Sequence, residues 1–219
     1  MFAAASLKGA FTQIGSDFET RHPDIGVRFS FAGSADLATQ LIGGAPADVF
    51  ASADEANMAK ASREGLVVGS AALFASNTLQ IAVPAANPAG ISALADLAKP
   101  GALVVVCAPV VPCGAATRRV EQAAGVRLRP VSQESSVTDV LNKVTTGEAD
   151  AGLVYRTDVQ AARSKVTGIS FPEAAAAVNH YPIAVMAAGE QQGAARDFVD
   201  LVTGPAGQQV LRRAGFGQP

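Results

Sequence analysis

The chain has 219 residues, enough for one large domain or two smaller lobes, and 49% of them are hydrophobic while 16% are charged. This composition is typical of a compact folded protein, and no run approaches the roughly 20 apolar residues that span a bilayer. A formal net charge of -2, aromatic residues at 5% and the absence of Trp leave neither a basic surface for phosphates nor stacking platforms for bases, so we expect no nucleic-acid partner.

Strand and helix patterns alternate through the first part of the chain. Apolar residues recur at steps of four, three and four after Ser6, which predicts a helix that ends before Pro23; they are Leu7, Phe11, Ile14 and Phe18. The segment 27–31 alternates apolar and polar residues like a strand, and a helix carrying Leu37, Leu41 and Ile42 follows it. A buried run at 48–51 and a helix through 58–63 repeat this order.

The same order continues in the later part of the chain. An apolar strand at 104–107 precedes a helix that starts near Pro112, and Ser136 to Asp139 has the Ser-x-x-acid form of a helix start. Another apolar run lies at 152–155. The runs 79–83 and 181–186 lack a helix of their own, and we interpret them as crossover strands.

This alternation predicts an α/β protein with a largely parallel sheet, whose ligands lie beyond the carboxyl ends of the strands. We predict two lobes with a ligand cleft between them. Lobe I comprises residues 1–80 and 185–219, and lobe II comprises residues 81–184. The two crossover strands, near 79–84 and 181–186, connect the lobes.

The functional signals favour binding over catalysis. The phosphate-loop, dinucleotide, nucleophile-elbow and zinc-protease motifs are all missing, so we expect no enzyme. Helix N-termini present unpaired N–H groups and about half a positive charge, so several of them can bind an anion without Lys or Arg. Serines are ordinary N-cap residues, and we expect capping where predicted helices begin, from Ser6, Ser34, Ser52 and Ser136.

Cys107 and Cys113 are six residues apart, and the sequence leaves both a disulfide and two free thiols open. A metal site lacks further ligands, since His22 and His180 have no matching spacing. Met1 stands directly before a predicted strand, so we expect no leader peptide in this chain.

Five segments carry a family resemblance. They are FAAASL at 2–7, GSADLATQLIGGAPADVFASAD at 33–54, VPCG at 111–114, SVTDVLNKVTTGEADAGLVYRTD at 136–158 and YPIAV at 181–185. In their amino-acid sequences and in their order along the chain, they resemble the periplasmic molybdate-binding proteins, the substrate-capturing components of molybdate ABC transporters. The resemblance covers nearly the whole chain and implies the two-lobed periplasmic binding protein fold of type II, with a mixed sheet and flanking helices in each lobe.

The resemblance also implies how the ligand is held, since in this family hydroxyls and main-chain amides alone bind a tetrahedral oxyanion, with no direct protein ligand to molybdenum. Carried over to this chain, the donors are Ser6, Ser34, the backbone N–H of Ala53, the backbone N–H of Cys113 and Val137, and the hydroxyl of Tyr155. Ser6 is thus expected to be a ligand as well as a cap. Cys113 replaces the small residue usual between Pro and Gly, and a disulfide to Cys107 would stiffen this loop.

The resemblance implies a protein that captures molybdate, and tungstate with it, and delivers the ion to the membrane permease of an ABC transporter. It implies no cofactor, a monomer, and a periplasmic or other extracytoplasmic location with or without a lipid anchor. Two alternatives stay open. One is a binding protein for another oxyanion such as sulfate, and the other is the effector-sensing domain of a transcription regulator, which shares the architecture.

Overall fold

The computed structural model describes residues 1–219, which divide into two compact units. The first unit comprises Met1–Ser76 and His180–Pro219, and the second comprises Asn77–Asn179. These divisions lie a few residues before the predicted lobe boundaries at 80 and 185.

The chain forms ten strands and eight α-helices. The strands are β1 (Phe2–Ala4), β2 (Ser30–Ala32), β3 (Val49–Ala51), β4 (Ala72–Asn77), β5 (Leu79–Pro84), β6 (Val104–Cys107), β7 (Ser132–Glu134), β8 (Ala151–Tyr155), β9 (Val166–Ile169) and β10 (Asn179–Val185). The helices are α1 (Lys8–Arg21), α2 (Ser34–Ile42), α3 (Glu55–Arg63), α4 (Pro112–Ala124), α5 (Val137–Thr145), α6 (Arg156–Ala162), α7 (Gln192–Thr203) and α8 (Pro205–Arg213). Short 3-10 turns occupy Ala5–Leu7, Leu94–Ala98, Arg163–Lys165 and Pro172–Ala177.

The first unit is built on a five-stranded mixed sheet in the order β2-β1-β3-β10-β4. Strand β1 runs parallel to both β2 and β3, while β10 pairs with β3 in the antiparallel sense. Helices α1, α7 and α8 pack on this sheet around a cluster of phenylalanine rings, in which Phe11 contacts Phe29, Phe74 and Phe198 at centroid distances of 5.7 to 6.1 Å. A separate core under α2 and α3 includes Leu37, Phe50 and Met58.

The second unit repeats the architecture with the order β7-β6-β8-β5-β9. Strand β6 is parallel to β7 and β8, and β5 is antiparallel to β8 and β9. Strands β6 and β8 are buried throughout, which fits their continuous apolar sequences. The prediction of two mixed sheets flanked by helices is confirmed.

The two strands interpreted as crossovers each belong to one sheet. Strand β5 pairs with β8 and β9 within the second unit, and β10 pairs with β3 within the first. The predicted strand at 27–31 begins only at Ser30, because the Val27 N–H donates to Glu19 Oε1 and not to a neighbouring strand, while Val27 and Phe29 pack against the core. None of the helices is both long and apolar enough to cross a membrane.

Candidate functional site

The predicted donors of the first unit lie at the carboxyl ends of three neighbouring parallel strands. Ser6, Ser34 and Ala53 each follow the last residue of β1, β2 and β3 by two positions. The order of these strands is β2-β1-β3, so the three residues lie side by side at the carboxyl end of the sheet. A hydrogen bond proves the contact for two of them, because the N–H of Ala53 donates to Ser34 Oγ over 2.9 Å.

The Ser34–Ala53 bond decides which hydrogen Ser34 can offer. Ser34 Oγ accepts from Ala53, so the hydroxyl hydrogen is not used in this bond and can be donated to another acceptor. The side chain is buried, with 1% of its surface exposed, and this holds the hydroxyl in place. Ala53 N–H is engaged with Ser34, so an anion that contacts this amide must share it.

Ser6 has a different partner from the one expected. A 3-10 turn at Ala5–Leu7 separates β1 from α1, which begins only at Lys8, and the Ser6 hydroxyl lies 3.1 Å from the hydroxyl of Tyr181. Tyr181 comes from β10 and is fully buried. The contact spans 175 residues of sequence and holds the Ser6 side chain at the carboxyl end of the sheet.

Three of the four expected serine caps are wrong. Neither helix next to Ser6 has a side-chain cap, α2 is capped by Gly33 with Ser34 as its first helical residue, and Asp54 rather than Ser52 caps α3. In each case the serine lies one or more positions away from the residue with N-cap geometry. Only Ser136 acts as predicted, since its hydroxyl accepts from the N–H of Asp139 at the start of α5.

The predicted donors of the second unit have the same arrangement. Helix α4 follows β6, α5 follows β7 and α6 follows β8, and these three strands are parallel neighbours. Cys113 is the second residue of α4, Val137 is the first residue of α5, and Tyr155 ends β8. The N–H groups of Cys113 and Val137 donate to no backbone carbonyl, as expected in the first turn of a helix.

The start of α4 is held by a disulfide and by a glycine. Cys107, the last residue of β6, is bonded to Cys113, with Cα atoms 5.6 Å apart. A Cβ atom on Gly114 would overlap the carbonyl group of Ala108. Only glycine therefore lets the first turn of α4 approach the end of β6 this closely, and Pro112 fixes the backbone angle of the first helical residue.

The Tyr155 hydroxyl belongs to a buried polar chain. It accepts a hydrogen bond from Asn179 Nδ2 over 3.0 Å, and Asn179 Oδ1 accepts in turn from Arg119 Nη2 over 3.2 Å. Tyr155 and Asn179 are 1% and 2% exposed. The backbone N–H of Tyr155 donates to Asp158 Oδ2 over 2.9 Å, and burial raises the pKa of Asp158 to about 7.

Charged groups play a small part in this geometry. Lys8 is the first residue of α1 and Arg118 is the seventh residue of α4; both side chains are exposed and neither forms an ion pair. Burial raises the pKa of the capping residue Asp54, against hydrogen bonds from Asn57 that favour the charged form. Within residues 1–219, no three His, Cys, Asp or Glu side chains are close enough to hold a metal ion.

The sequence interpretation missed Tyr181, Asn179 and Arg119 as parts of these sites. Two signals were available for the first two: Tyr181 begins the YPIAV segment that carries the family resemblance, and Asn179-His180-Tyr181 is a polar start to an otherwise apolar strand. Arg119 lies on a helix face with no sequence feature that distinguishes it from its neighbour Arg118.

Comparisons with known proteins find similarity along nearly the whole chain. The family model described as bacterial extracellular solute-binding protein matches residues 1–217. The molybdate-binding protein ModA of Mycobacterium tuberculosis is 55% identical over 219 residues, which cover 100% of this chain and 84% of that relative.

Two solved structures have the same fold. The periplasmic molybdate-binding protein of Azotobacter vinelandii aligns with a TM-score of 0.83 and 22% identity, covering 100% of this chain and 98% of that one. The sulfate-binding protein SubI of Mycobacterium tuberculosis also aligns with a TM-score of 0.83, at 21% identity, covering 98% of this chain and 84% of that one. At these identities the likeness shows the fold alone.

Proposed function

The chain belongs to the bacterial extracellular solute-binding proteins, and we propose that its solute is molybdate, with tungstate as an alternative ligand. Membership of this family makes it a binding protein and not an enzyme. The observation that carries the choice of ligand is the 55% identity, over the full chain, to a relative named as a molybdate-binding protein. The donors at the strand ends supply a physical basis for that choice.

The first unit offers the hydroxyls of Ser6 and Ser34 with the N–H of Ala53 to the oxyanion. The second unit offers the N–H groups of Cys113 and Val137 with the hydroxyl of Tyr155. All six donors are uncharged. A hydrogen bond to a charged group contributes roughly 1.5 to 3 kcal/mol, so about six of them can offset desolvation of a dianion and leave micromolar or tighter binding.

Selectivity follows from a donor set of fixed geometry. Molybdate and tungstate have nearly equal size, whereas sulfate has shorter bonds and cannot reach all the donors at once. Phosphate often carries a proton at neutral pH, and a site made of donors leaves that proton without an acceptor. The proposed order of affinity is therefore molybdate and tungstate first, then sulfate, with phosphate last.

Sulfate is a second candidate ligand, because the structural likeness to the sulfate-binding protein equals the likeness to the molybdate-binding protein. Fold similarity does not distinguish the two ions. Sequence identity favours molybdate.

Titration calorimetry and thermal unfolding with molybdate, tungstate, sulfate and phosphate at matched ionic strength test the proposal. A ligand that binds only the native state stabilises it by about 2.7 kcal/mol at one hundred times its Kd. Molybdate and tungstate should give this stabilisation, while sulfate and phosphate should give little. If sulfate bound more tightly than molybdate, sulfate would be the ligand. If none of the four ions stabilised the protein, the proposal that it carries an oxyanion would be refuted.

The transport role is the natural extension of this proposal. We propose that the chain works outside the cytoplasm, in the periplasm or held by a lipid anchor at the outer face of the cell membrane, and delivers its ion to an ABC permease. We also propose that it requires no cofactor and that it acts as a monomer. Light scattering of the purified protein with and without molybdate would test the monomeric state.

A further inference from the structure

Arg119, Asn179 and Tyr155 form a chain of hydrogen-bonded polar side chains that runs from the surface into the second unit. Arg119 is exposed on α4, Asn179 is buried at the start of β10, and Tyr155 is buried at the end of β8. The two connecting bonds, of 3.2 and 3.0 Å, have lengths typical of hydrogen bonds in proteins.

The chemistry of these groups fixes the direction of each hydrogen bond. A guanidinium group has only donors, so the group of Asn179 that faces Arg119 must be the carbonyl oxygen. The amide nitrogen of Asn179 then faces Tyr155 and can only donate to it. An amide turned by half a rotation would set two donors against each other at Arg119, and its oxygen would accept the phenol hydrogen.

The direction of the bonds determines what Tyr155 can offer a ligand. Its oxygen is the acceptor in the bond with Asn179, so the single phenol hydrogen is not used there. Hydrogen bonds in a chain polarise one another, and a donor on the oxygen strengthens the phenol as a donor. Such a hydroxyl suits an acceptor with no hydrogen of its own, such as a fully deprotonated oxyanion.

We propose that Asn179 and Arg119 are positioning residues that keep the Tyr155 hydroxyl in the donor state for the oxyanion. This inference rests on the proposed function, because it takes Tyr155 as a ligand. Arg119 acts on the bound ion through the orientation of an amide and not through its charge. The chain offers a control for this distinction in Arg118, the exposed neighbour on the same helix, which forms no ion pair.

The test is a double-mutant cycle measured by molybdate calorimetry, with fold checked by circular dichroism. Asn179→Leu keeps the size of the side chain but removes the amide, and we expect about a tenfold or greater loss of affinity. Arg119→Met should cost about three- to tenfold, and Arg119→Lys, which keeps a donor, should recover most of that loss. Arg118→Met removes the same charge and should leave the affinity unchanged.

The background variant Tyr155→Phe separates positioning from a general structural role. Once the hydroxyl is gone, Asn179→Leu and Arg119→Met should cause no further loss of affinity, since their effect passes through that hydroxyl. Equal losses with and without the hydroxyl would overturn the inference, as would unchanged affinity in both single variants. The wild-type protein is titrated first, so absent molybdate binding would count against the proposed function, and against this inference with it.

Discussion

At the scale of single residues, the hydroxyls proposed as donors are held by other polar groups rather than by charges. Ser34 is fixed by Ala53 N–H, Ser6 by the Tyr181 hydroxyl, and Tyr155 by Asn179. Each side chain is therefore held in position before a ligand arrives, so binding costs little side-chain entropy.

Removal of one oriented hydroxyl should weaken binding and leave the fold intact. We expect Ser34→Ala and Tyr155→Phe each to lower molybdate affinity about tenfold or more, because each loses a hydrogen bond to a charged group. Titration calorimetry with a thermal melt checks both effects. Ser62→Ala, at an exposed position of α3, is the matched control. Wild-type affinity in both Ser34→Ala and Tyr155→Phe would contradict the assignment of these donors.

Asp158 should make stability depend on pH. Its pKa is raised from 3.8 to about 7 by burial, so between these values the folded chain binds a proton that the unfolded chain has lost. Stability should therefore fall as pH rises from about 4 to 7 and stay reduced above that range, by an amount on the order of a few kcal/mol. Asp158→Asn keeps an oxygen for the Tyr155 N–H and removes the charge.

Urea unfolding of both proteins from pH 4 to 8 measures this contribution. The difference in unfolding free energy should move in favour of Asp158→Asn as the pH rises. Parallel curves across the whole range would show that Asp158 does not titrate in this window.

At the scale of elements, both units use the same device, in which parallel strands end at helix N-termini. Strand β1 with its neighbours serves the first unit, and β6 with its neighbours serves the second. The N–H groups of each first helical turn, which have no partner within the helix, and the positive end of each helix dipole lie at the carboxyl ends of the strands.

The close approach of α4 to β6 should fail if Gly114 gains a side chain. Gly114→Ala would place its Cβ against the Ala108 carbonyl, and we expect a loss of more than about 2 kcal/mol of stability together with weaker molybdate binding. Gly9→Ala is the control, because no atom lies within 4 Å of the added carbon in α1. Equal unfolding free energies of the two variants in urea would refute this account of α4.

Elements with strong apolar periodicity could be predicted from the sequence, and exposed edge elements could not. The spacing of Leu7, Phe11, Ile14 and Phe18 predicted α1 because all four pack into the core. Strand β7, Ser132–Glu134, is polar because it lies at a sheet edge and contacts a neighbour on one side only. Its position is set by pairing with β6, which local sequence does not encode.

The candidate site shows the same limit. Serines and short apolar runs marked the ends of the strands, but the six predicted donors were named from the family resemblance and not from these patterns. The contacts that orient them join residues far apart in sequence, as Ser6 and Tyr181 do across 175 positions. The prediction of N-cap residues was wrong for a local reason. A 3-10 turn after β1, or a shift of one residue at the start of α2, leaves no clear signal in the sequence.

At the scale of the whole molecule, a chain with a net charge of -2 is proposed to bind a dianion without a salt bridge. Net attraction by the protein's charge is then absent, and affinity must come from the number and direction of neutral donors. Added salt should therefore change the affinity little compared with a site that uses Lys or Arg.

A crystal structure of the protein grown with molybdate tests this central claim most directly. The account predicts a tetrahedral ion whose oxygens lie within hydrogen-bond distance of donors from the predicted set, namely Ser6, Ser34, Ala53, Cys113, Val137 and Tyr155. An ion contacted by a Lys or Arg side chain, or one bound away from these residues, would contradict it.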